Sequence, residues 1–160
     1  WAIAKQLLQH ERNMVAGMGI RGRTRDPANT MENQAKRYLG ENNGKIADGS
    51  VRNAITQHKM DGEAFVLTLR RAAEESKTTS APSPASSMFK YYGTEQNKTR
   101  FEIILSLMGS QSLGWEGDGF DDRELSATRE WLRSKANSIE GGTSEVQLNI
   151  IAKRVLGLPD

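Results

Sequence analysis

Residues 50–76 read SVRNAITQHKMDGEAFVLTLRRAAEES, and this stretch decides the fold class. Its apolar side chains recur every three or four positions, which is the spacing of one face of an α-helix. The stripe consists of Val51, Ile55, His58, Gly62, Phe65, Leu69 and Ala72. A glycine costs about 1 kcal/mol of helix propensity relative to alanine, but on an apolar face it often permits close approach of a second helix. We therefore predict one long helix whose apolar face lies in a core.

The same spacing recurs along the rest of the chain, and no stretch alternates at the period of two that marks a half-buried strand. It predicts further helices over residues 1–20, 31–39, 84–108, 121–138 and 144–155. The connections are a charged loop at 21–30, a turn rich in Gly and Asn at 40–49, and loops at 77–83 and 109–119. Short connections favour antiparallel neighbours. The chain is thus predicted to be one all-α domain over residues 1–160, an up-down helical bundle of four long helices plus a short and a terminal helix.

Three of these helices have local start signals. One of these signals is Ser83-Pro84, the N-cap and first residue of the helix at 84–108. Asp121 and Glu124 have the spacing of a capping box, in which the first side chain accepts from the backbone and the second reaches back to the cap. Ser144 and Gln147 have the same spacing at the start of the terminal helix. We expect Asp121 and Ser144 to be the N-caps of the last two helices.

Composition and charge argue against several classes of function. The 22 Lys and Arg side chains nearly balance the 20 Asp and Glu side chains, so the net charge of +2 does not favour a nucleic-acid partner. The absence of cysteine excludes a disulfide scaffold, a thiolate metal site and a Cys nucleophile. His10 and His58 lack further ligands at metal-binding spacing, so no metal is predicted. No apolar run approaches the roughly 18 residues of a membrane span and no signal peptide is visible, so we expect a cytoplasmic protein.

Glu11 is a carboxylate within an apolar helical stripe. The side chains on its face are Leu7, Leu8, Met14, Val15 and Met18. Apolar surroundings disfavour ionisation and raise the pKa of a carboxyl group, which suits a general base near neutral pH. A structural alternative fits the same pattern: Glu11 pairs with an arginine of another helix, or it reaches water at the edge of the stripe.

Two glycine-containing segments and one polar stretch are further candidates. The sequence GGTSE at 141–145 and the loop at 109–119 could let a ligand approach the backbone, with free N–H groups at the following helix start for an anion. Each is equally readable as a tight turn between helices. The polar stretch EQNK at 95–98 is a candidate surface for self-association, although an exposed helix face is the simpler interpretation.

The stretch SIEGGTSEVQLNIIAKRVLGL at 138–158 closely resembles the C-terminal signature of acyl-CoA dehydrogenases. The stretch LQHER at 8–12 looks like the helix that opens the C-terminal α-helical domain of that family, and residues 109–115 fall where the family has a Gly-rich segment. The helical pattern is already running at Trp1, and there is no initiator Met. The resemblance therefore implies the C-terminal helical domain alone, cut from a longer flavoprotein and inactive with little FAD binding when isolated.

The resemblance also implies a reaction and its base. In this family a glutamate removes the α-proton of an acyl-CoA, the β-hydrogen leaves as hydride to FAD, and electron-transferring flavoprotein is the usual acceptor. Many members carry the glutamate directly before the Gly-Thr of the signature, where this chain has Gly141, with Glu140 one residue earlier. Other members supply it from the first helix of this domain, directly before an arginine. Glu11 and Arg12 match that second pattern, so the resemblance implies Glu11 as the catalytic base.

The family's cofactor-contacting segments carry over to four residues. Thr143 and Glu145 would lie near the FAD, and Gly109 and Ser110 near its adenosine diphosphate part across a subunit interface. Two departures stand out: Ser106 replaces a common Gln, and the stretch LGENNG at 39–44 lacks a common Arg. The resemblance therefore implies a homo- or hetero-oligomer. It leaves open a second role, that of a non-catalytic assembly subunit that completes a partner's flavin site.

Overall fold

The computed structural model of this chain describes residue 1 and residues 3–4, 6–7, 30–75 and 85–159. The helix predicted over 1–20, with Glu11 in it, lies largely outside these residues, as do most of the loop at 21–30, the loop at 77–83 and the helix start predicted at Ser83-Pro84.

The described part is built mainly of helices, which confirms the predicted all-α class. Its α-helices are α1 (Met31–Leu39), α2 (Gly49–Glu75), α3 (Ala85–Met108), α4 (Asp122–Lys135) and α5 (Ser144–Ile150). Shorter helical turns are the 3-10 helices Gly109–Leu113 and Ala136–Ser138 and a π-helix at Ile151–Val155. Two of these helices exceed twenty residues and α4 has 14. The fourth long helix of the prediction is the one that falls at residues 1–20. No helix of the described residues is long and apolar enough to cross a membrane.

Residues 41–46 form a small hairpin, so the predicted turn within 40–49 is present, but the two short strands on either side of it were not predicted. Strands β1 (Glu41–Asn42) and β2 (Lys45–Ile46) pair antiparallel, with Glu41 opposite Ile46. The two residues between them, Asn43 and Gly44, have φ values of 50° and 75°. Asn-Gly at positive φ is the sequence preference of the two-residue hairpin turn. The hairpin buries Ile46 in the core.

Helix α3 is the centre of the fold, because it supplies side chains to all three apolar clusters of the described residues. Leu107 joins Ala35, Ile46 and Ile55 under the hairpin and α1. Near the other end of α3, Phe89 packs on Phe65 of α2, and the ring centroids are 6.2 Å apart at an interplanar angle of 65°. A third cluster contains Phe101, Ile104 and Met108, with Trp131 of α4 packed against it.

Within the described residues, Gly62 does not make the close helix approach predicted from its place on the apolar stripe. A Cβ atom built on this residue meets no heavy atom of the described residues within 4 Å outside its own helix backbone and chain neighbours. The propensity cost of glycine is therefore not offset by packing at this position.

The capping box predicted for Asp121 is confirmed, and it also ties α4 to α1. The Asp121 side chain accepts from the backbone N–H groups of Arg123 and Glu124, and the Glu124 side chain accepts from the Asp121 N–H. Two side chains of α1 reach this cap: Arg37 donates to Asp121 over 2.6 Å, and the Tyr38 hydroxyl donates to Glu124 over 2.7 Å. Burial, followed by the hydrogen bond to Glu124, raises the pKa of Tyr38 to about 12.

Candidate functional site

One face of α3 carries a buried polar stripe. Ser87, Lys90 and Thr94 are each at most 1% exposed, and Asn97 is half-buried on the same stripe. Their spacing of three and four residues places them on one side of the helix. Residues 136–147 cover these side chains, and we call these residues the signature segment.

Hydrogen bonds fix the signature segment to this stripe. The Lys90 ammonium donates to the backbone carbonyl of Asn137 over 2.9 Å, and the Asn97 amide donates to the Asn137 side-chain oxygen over 3.0 Å. Lys98 donates to the Ser138 hydroxyl over 2.5 Å and pairs with Glu95 at 2.7 Å. The interpretation of residues 95–98 as an exposed face was therefore wrong, because these side chains are half-buried and two of them bind the signature segment.

Glu140 is held as a carboxylate within the segment. It accepts from Arg133 over 2.9 Å and from the Asn137 amide. Burial opposes ionisation of Glu140, but these hydrogen bonds outweigh it and lower the pKa of the carboxyl group. A carboxylate with lowered pKa that is engaged in this way is a poor general base near neutral pH.

The two glycines that follow are required by the backbone. Gly141 and Gly142 have φ values of 68° and 94°, a region that residues with a side chain rarely adopt. A Cβ atom on Gly142 would lie 2.6 Å from the side-chain nitrogen of Gln147. That Gln147 side chain is fully buried and donates to the Gly141 carbonyl over 2.9 Å. The Gln147 amide therefore closes the turn, and a residue larger than glycine has no room at position 142.

Helix α5 is capped by Thr143, so the prediction of Ser144 as its N-cap was wrong. The Thr143 hydroxyl accepts from the Val146 N–H over 3.3 Å, and Ser144 is the first helical residue. Gln147 does not complete a capping box, because it lies four residues after Thr143, one too many for this motif, and its amide nitrogen donates to the Gly141 carbonyl. The backbone N–H of Glu145 and then the Thr143 hydroxyl lower the pKa of the exposed Glu145 carboxyl. Thr143 and Glu145 thus lie together at the start of α5.

Gly109 and Ser110 also lie together, but at the far end of α3. Both are exposed, Gly109 has a φ of 56°, and no heavy atom of the described residues lies within 4 Å of the position where its Cβ would be. At about 1.5 Å per residue of helix, Gly109 is about 28 Å from Lys90, where the signature segment binds. Within one chain the structure therefore brings each predicted pair together and keeps the two pairs apart.

A cleft of about 350 Å³ opens beside this end of α3, between α1, α3 and α4. Phe101 and Met108 line its apolar side, and Met108 directly precedes Gly109. Arg100 also lines the cleft, and its guanidinium lies 4.7 Å from the centre of the Phe101 ring. Burial lowers the pKa of Arg100. The cleft therefore combines apolar surface with both arginine and carboxylate side chains, and it lies next to the second predicted pair.

Of the remaining predicted positions, Glu11 lies outside the described residues, whereas Ser106 and residues 39–44 lie within them. The structure therefore does not describe the surroundings of Glu11. Ser106 is exposed and donates to the Ile103 carbonyl over 2.6 Å. The stretch 39–44 that lacks an arginine forms the hairpin. Among the described residues, no group of three or more His, Asp or Glu side chains could hold a metal ion.

Sequence reasoning missed Lys90 and Asn137, and it assigned Gln147 to a capping box and not to the Gly141 turn. A signal was present for Lys90, since the polar residues of α3 recur with helical spacing from Ser87 to Asn97. That pattern could equally describe a solvated face. Only the position of the signature segment distinguishes the two.

Comparisons with known proteins agree with this architecture. The sequence matches the acyl-CoA dehydrogenase C-terminal domain over residues 1–156. It is 45% identical over 58 residues to the acyl-CoA dehydrogenase IpdE1 of Mycolicibacterium smegmatis, and 38% identical over 58 residues to IpdE1 of Mycobacterium tuberculosis. Each match covers 36% of this chain and 14% of the relative, so the matched part is a small share of those proteins.

Two solved structures share the fold. A variant of the Tcur3481-Tcur3483 steroid ACAD aligns with a TM-score of 0.73 and 21% identity, over 100% of this chain and 40% of that chain. The ChsE4-ChsE5 complex of Mycobacterium tuberculosis aligns with a TM-score of 0.61 and 23% identity, over 79% of this chain and 34% of that chain. With the match over residues 1–156, the chain belongs to the acyl-CoA dehydrogenase C-terminal domain family.

Proposed function

We propose that this chain works as the C-terminal helical domain of an FAD-dependent acyl-CoA dehydrogenase. The whole protein would oxidise an acyl-CoA thioester to the trans-2-enoyl-CoA and pass electrons to electron-transferring flavoprotein. One observation carries the proposal: the family's signature forms a turn of two glycines at positive φ, held by the buried side chains of Lys90 in α3 and Gln147 in α5. The bundle would position this turn and exclude water, while the flavin supplies the redox chemistry.

Two separate groups of residues suit two different parts of a flavin dinucleotide. Gly141 and Gly142 have no side chains to keep a ligand from the backbone on the side away from Gln147, and Thr143 and Glu145 follow them with polar groups. Gly109 and Ser110 are exposed, and no heavy atom of the described residues lies within 4 Å of a Cβ built on Gly109. We propose that the first group binds near the flavin ring and the second near the diphosphate. Their separation favours contributions from two subunits, and hence a homo- or hetero-oligomer.

We assign the general base to Glu11. Support comes from the signature itself, where Gly141 has no side chain and Glu140 is engaged by Arg133 and Asn137. In the full-length protein, Glu11→Gln should abolish acyl-CoA-dependent bleaching of the flavin while the flavin stays bound. Glu41→Gln, on the exposed hairpin strand, is the matched control and should leave bleaching intact. Near-normal turnover of Glu11→Gln would refute the assignment.

If the base lies on the first helix, the space around the thioester differs from the space in family members that have a glutamate at the position of Gly141. We propose that this space accepts a bulky or branched acyl group. One solved protein of similar fold is a steroid ACAD, which makes a steroid acyl-CoA a useful test substrate. Bleaching rates with straight, branched and steroid acyl-CoAs measure the preference, and a clear preference for straight chains would contradict it.

A second role is favoured by the departures at Ser106 and residues 40–43. In this alternative the chain belongs to a non-catalytic subunit that completes the flavin site of a different partner. Purification of the full-length chain alone separates the two roles. A yellow, active protein supports the dehydrogenase, whereas a colourless protein that is active only with a partner supports the assembly role.

A further inference from the structure

Lys90 is a fully buried cation, and the packing of apolar side chains does not account for a lysine at this position. Its ammonium donates to the Asn137 carbonyl over 2.9 Å, and its exposed fraction is 0%. Burial lowers the pKa of Lys90, while the charges of Glu140, Glu95 and Glu145 raise it and Lys98 lowers it. Taking a charged side chain out of water costs free energy, which its hydrogen bonds and charge partners must offset. Stability alone is therefore a weak reason for a lysine at this position.

The bond from Lys90 reaches the point where the signature segment leaves α4. Asn137 is 4% exposed, and three side chains meet it: Lys90 at its carbonyl, Asn97 at its amide oxygen and Glu140 at its amide nitrogen. A hydrogen bond from a lysine to a main-chain carbonyl fixes the path of the backbone, and it does so regardless of the side chains that come next in the sequence. The path is fixed just before the two glycines begin.

The glycine turn depends on anchors outside itself. Gly141 and Gly142 contribute no side chains to hold their positions, and glycine is the most conformationally free residue. On the far side, Gln147 holds the Gly141 carbonyl over 2.9 Å. On the near side, Lys90 holds Asn137. The turn is thus held between a lysine of α3 and a glutamine of α5.

We propose that Lys90 is a positioning residue that, through the carbonyl of Asn137, sets where the turn at residues 141–143 lies against the flavin. The flavin part of this inference rests on the proposed function, whereas the anchoring of the turn does not. Lys90 itself does not touch the reacting atoms. Displacement of a site by about 1 Å can reduce a rate by as much as a hundredfold, so loss of this anchor should be measurable.

The test compares Lys90→Met with Ile55→Val in the full-length protein, together with its partner subunit if one is required for flavin binding. Methionine preserves the stem and removes the donor, while Ile55→Val trims the cluster under the hairpin and leaves the signature segment untouched. Both variants can lower thermal stability. Amide hydrogen exchange at residues 138–143 should rise about tenfold or more in Lys90→Met alone.

The second readout is the flavin. At equal flavin occupancy, Lys90→Met should slow single-turnover flavin reduction about tenfold or more and change the visible circular dichroism of the flavin, and Ile55→Val should do neither. If Lys90→Met does not fold, Lys90→Gln replaces it in the test. Glutamine retains a neutral donor, so hydrogen exchange at residues 138–143 should rise, but by less than is expected for Lys90→Met.

Two results would overturn the inference: exchange at 138–143 equal to wild type, or raised exchange with unchanged flavin reduction and spectrum. Failure of the proposed function looks different, because wild-type protein with its partner would then bind no flavin. In that case the exchange comparison still decides whether Lys90 anchors the turn.

Discussion

The contact between Tyr38 and Glu124 gives a stability prediction whose size follows from the structure. Glu124 is only 6% exposed and accepts two hydrogen bonds, from the Tyr38 hydroxyl over 2.7 Å and from the Asp121 N–H over 2.9 Å. A hydrogen bond to a charged group contributes about 1.5–3 kcal/mol. Since Asp121 is partly exposed and water can replace part of the loss, we take the lower end for both bonds. Glu124→Ala should therefore lower the free energy of unfolding by about 3 kcal/mol.

A graded series separates the cap from the charge. Glu124→Gln keeps the shape and one acceptor, so it should cost about 1 kcal/mol. Glu130→Ala, an exposed position on the same helix, should stay within about 0.5 kcal/mol of wild type. Equilibrium urea unfolding followed by far-UV circular dichroism measures all three. In thermal unfolding, Glu124→Ala should lower Tm by about 6–12 °C. A loss below about 1 kcal/mol for Glu124→Ala would refute the view that this carboxylate joins α1 to α4.

Three further outcomes are expected. Because the folded-state pKa of Tyr38 is raised to about 12, its contribution to stability is complete below about pH 10 and is lost as the pH rises through 12; Tyr38→Phe should lack this loss in urea titrations across that range. Gly142→Ala should destabilise the chain by about 1–3 kcal/mol, since φ is 94° and the new Cβ meets Gln147, and raised hydrogen exchange in residues 138–143 would report it. Gly62→Ala should instead stabilise by about 1 kcal/mol, because the new Cβ would meet no heavy atom of the described residues within 4 Å; an unfolding midpoint equal to or below wild type would contradict this.

Local signals were interpreted correctly at one helix start and incorrectly at two other places. The capping box of Asp121 and Glu124 depends on residues three apart, and the structure confirms it. The hairpin was missed although its signal, Asn43 followed by Gly44, is equally local. Its strands have only two residues each, too few to show alternation. The start of α5 was misplaced by one residue because Thr143 and Ser144 are both good caps and only the backbone distinguishes them.

The polar stripe of α3 could not be assigned from the sequence for a different reason. Whether Lys90 and Asn97 face water or protein depends on residues 40 or more positions later in the chain. A helical repeat of polar residues predicts a solvated face unless a polar partner is present. Here the partners are main-chain and amide groups of the signature segment. Such groups leave no hydrophobic pattern in the sequence from which the contact could be predicted.

The two faces of α3 explain why the candidate site is arranged around this helix. Apolar clusters tolerate exchange of one hydrophobic side chain for another of similar volume, so they hold helices together without fixing a ligand-binding turn closely. Hydrogen bonds lose most of their strength when distance and angle change, so the polar stripe can set a backbone position. A helix that packs through Phe89 and Phe101 and binds Asn137 through Lys90 therefore serves both needs. The position of the Gly141 turn follows from the second kind of contact, which is why Lys90 is the side chain whose removal should move the turn and leave the bundle in place.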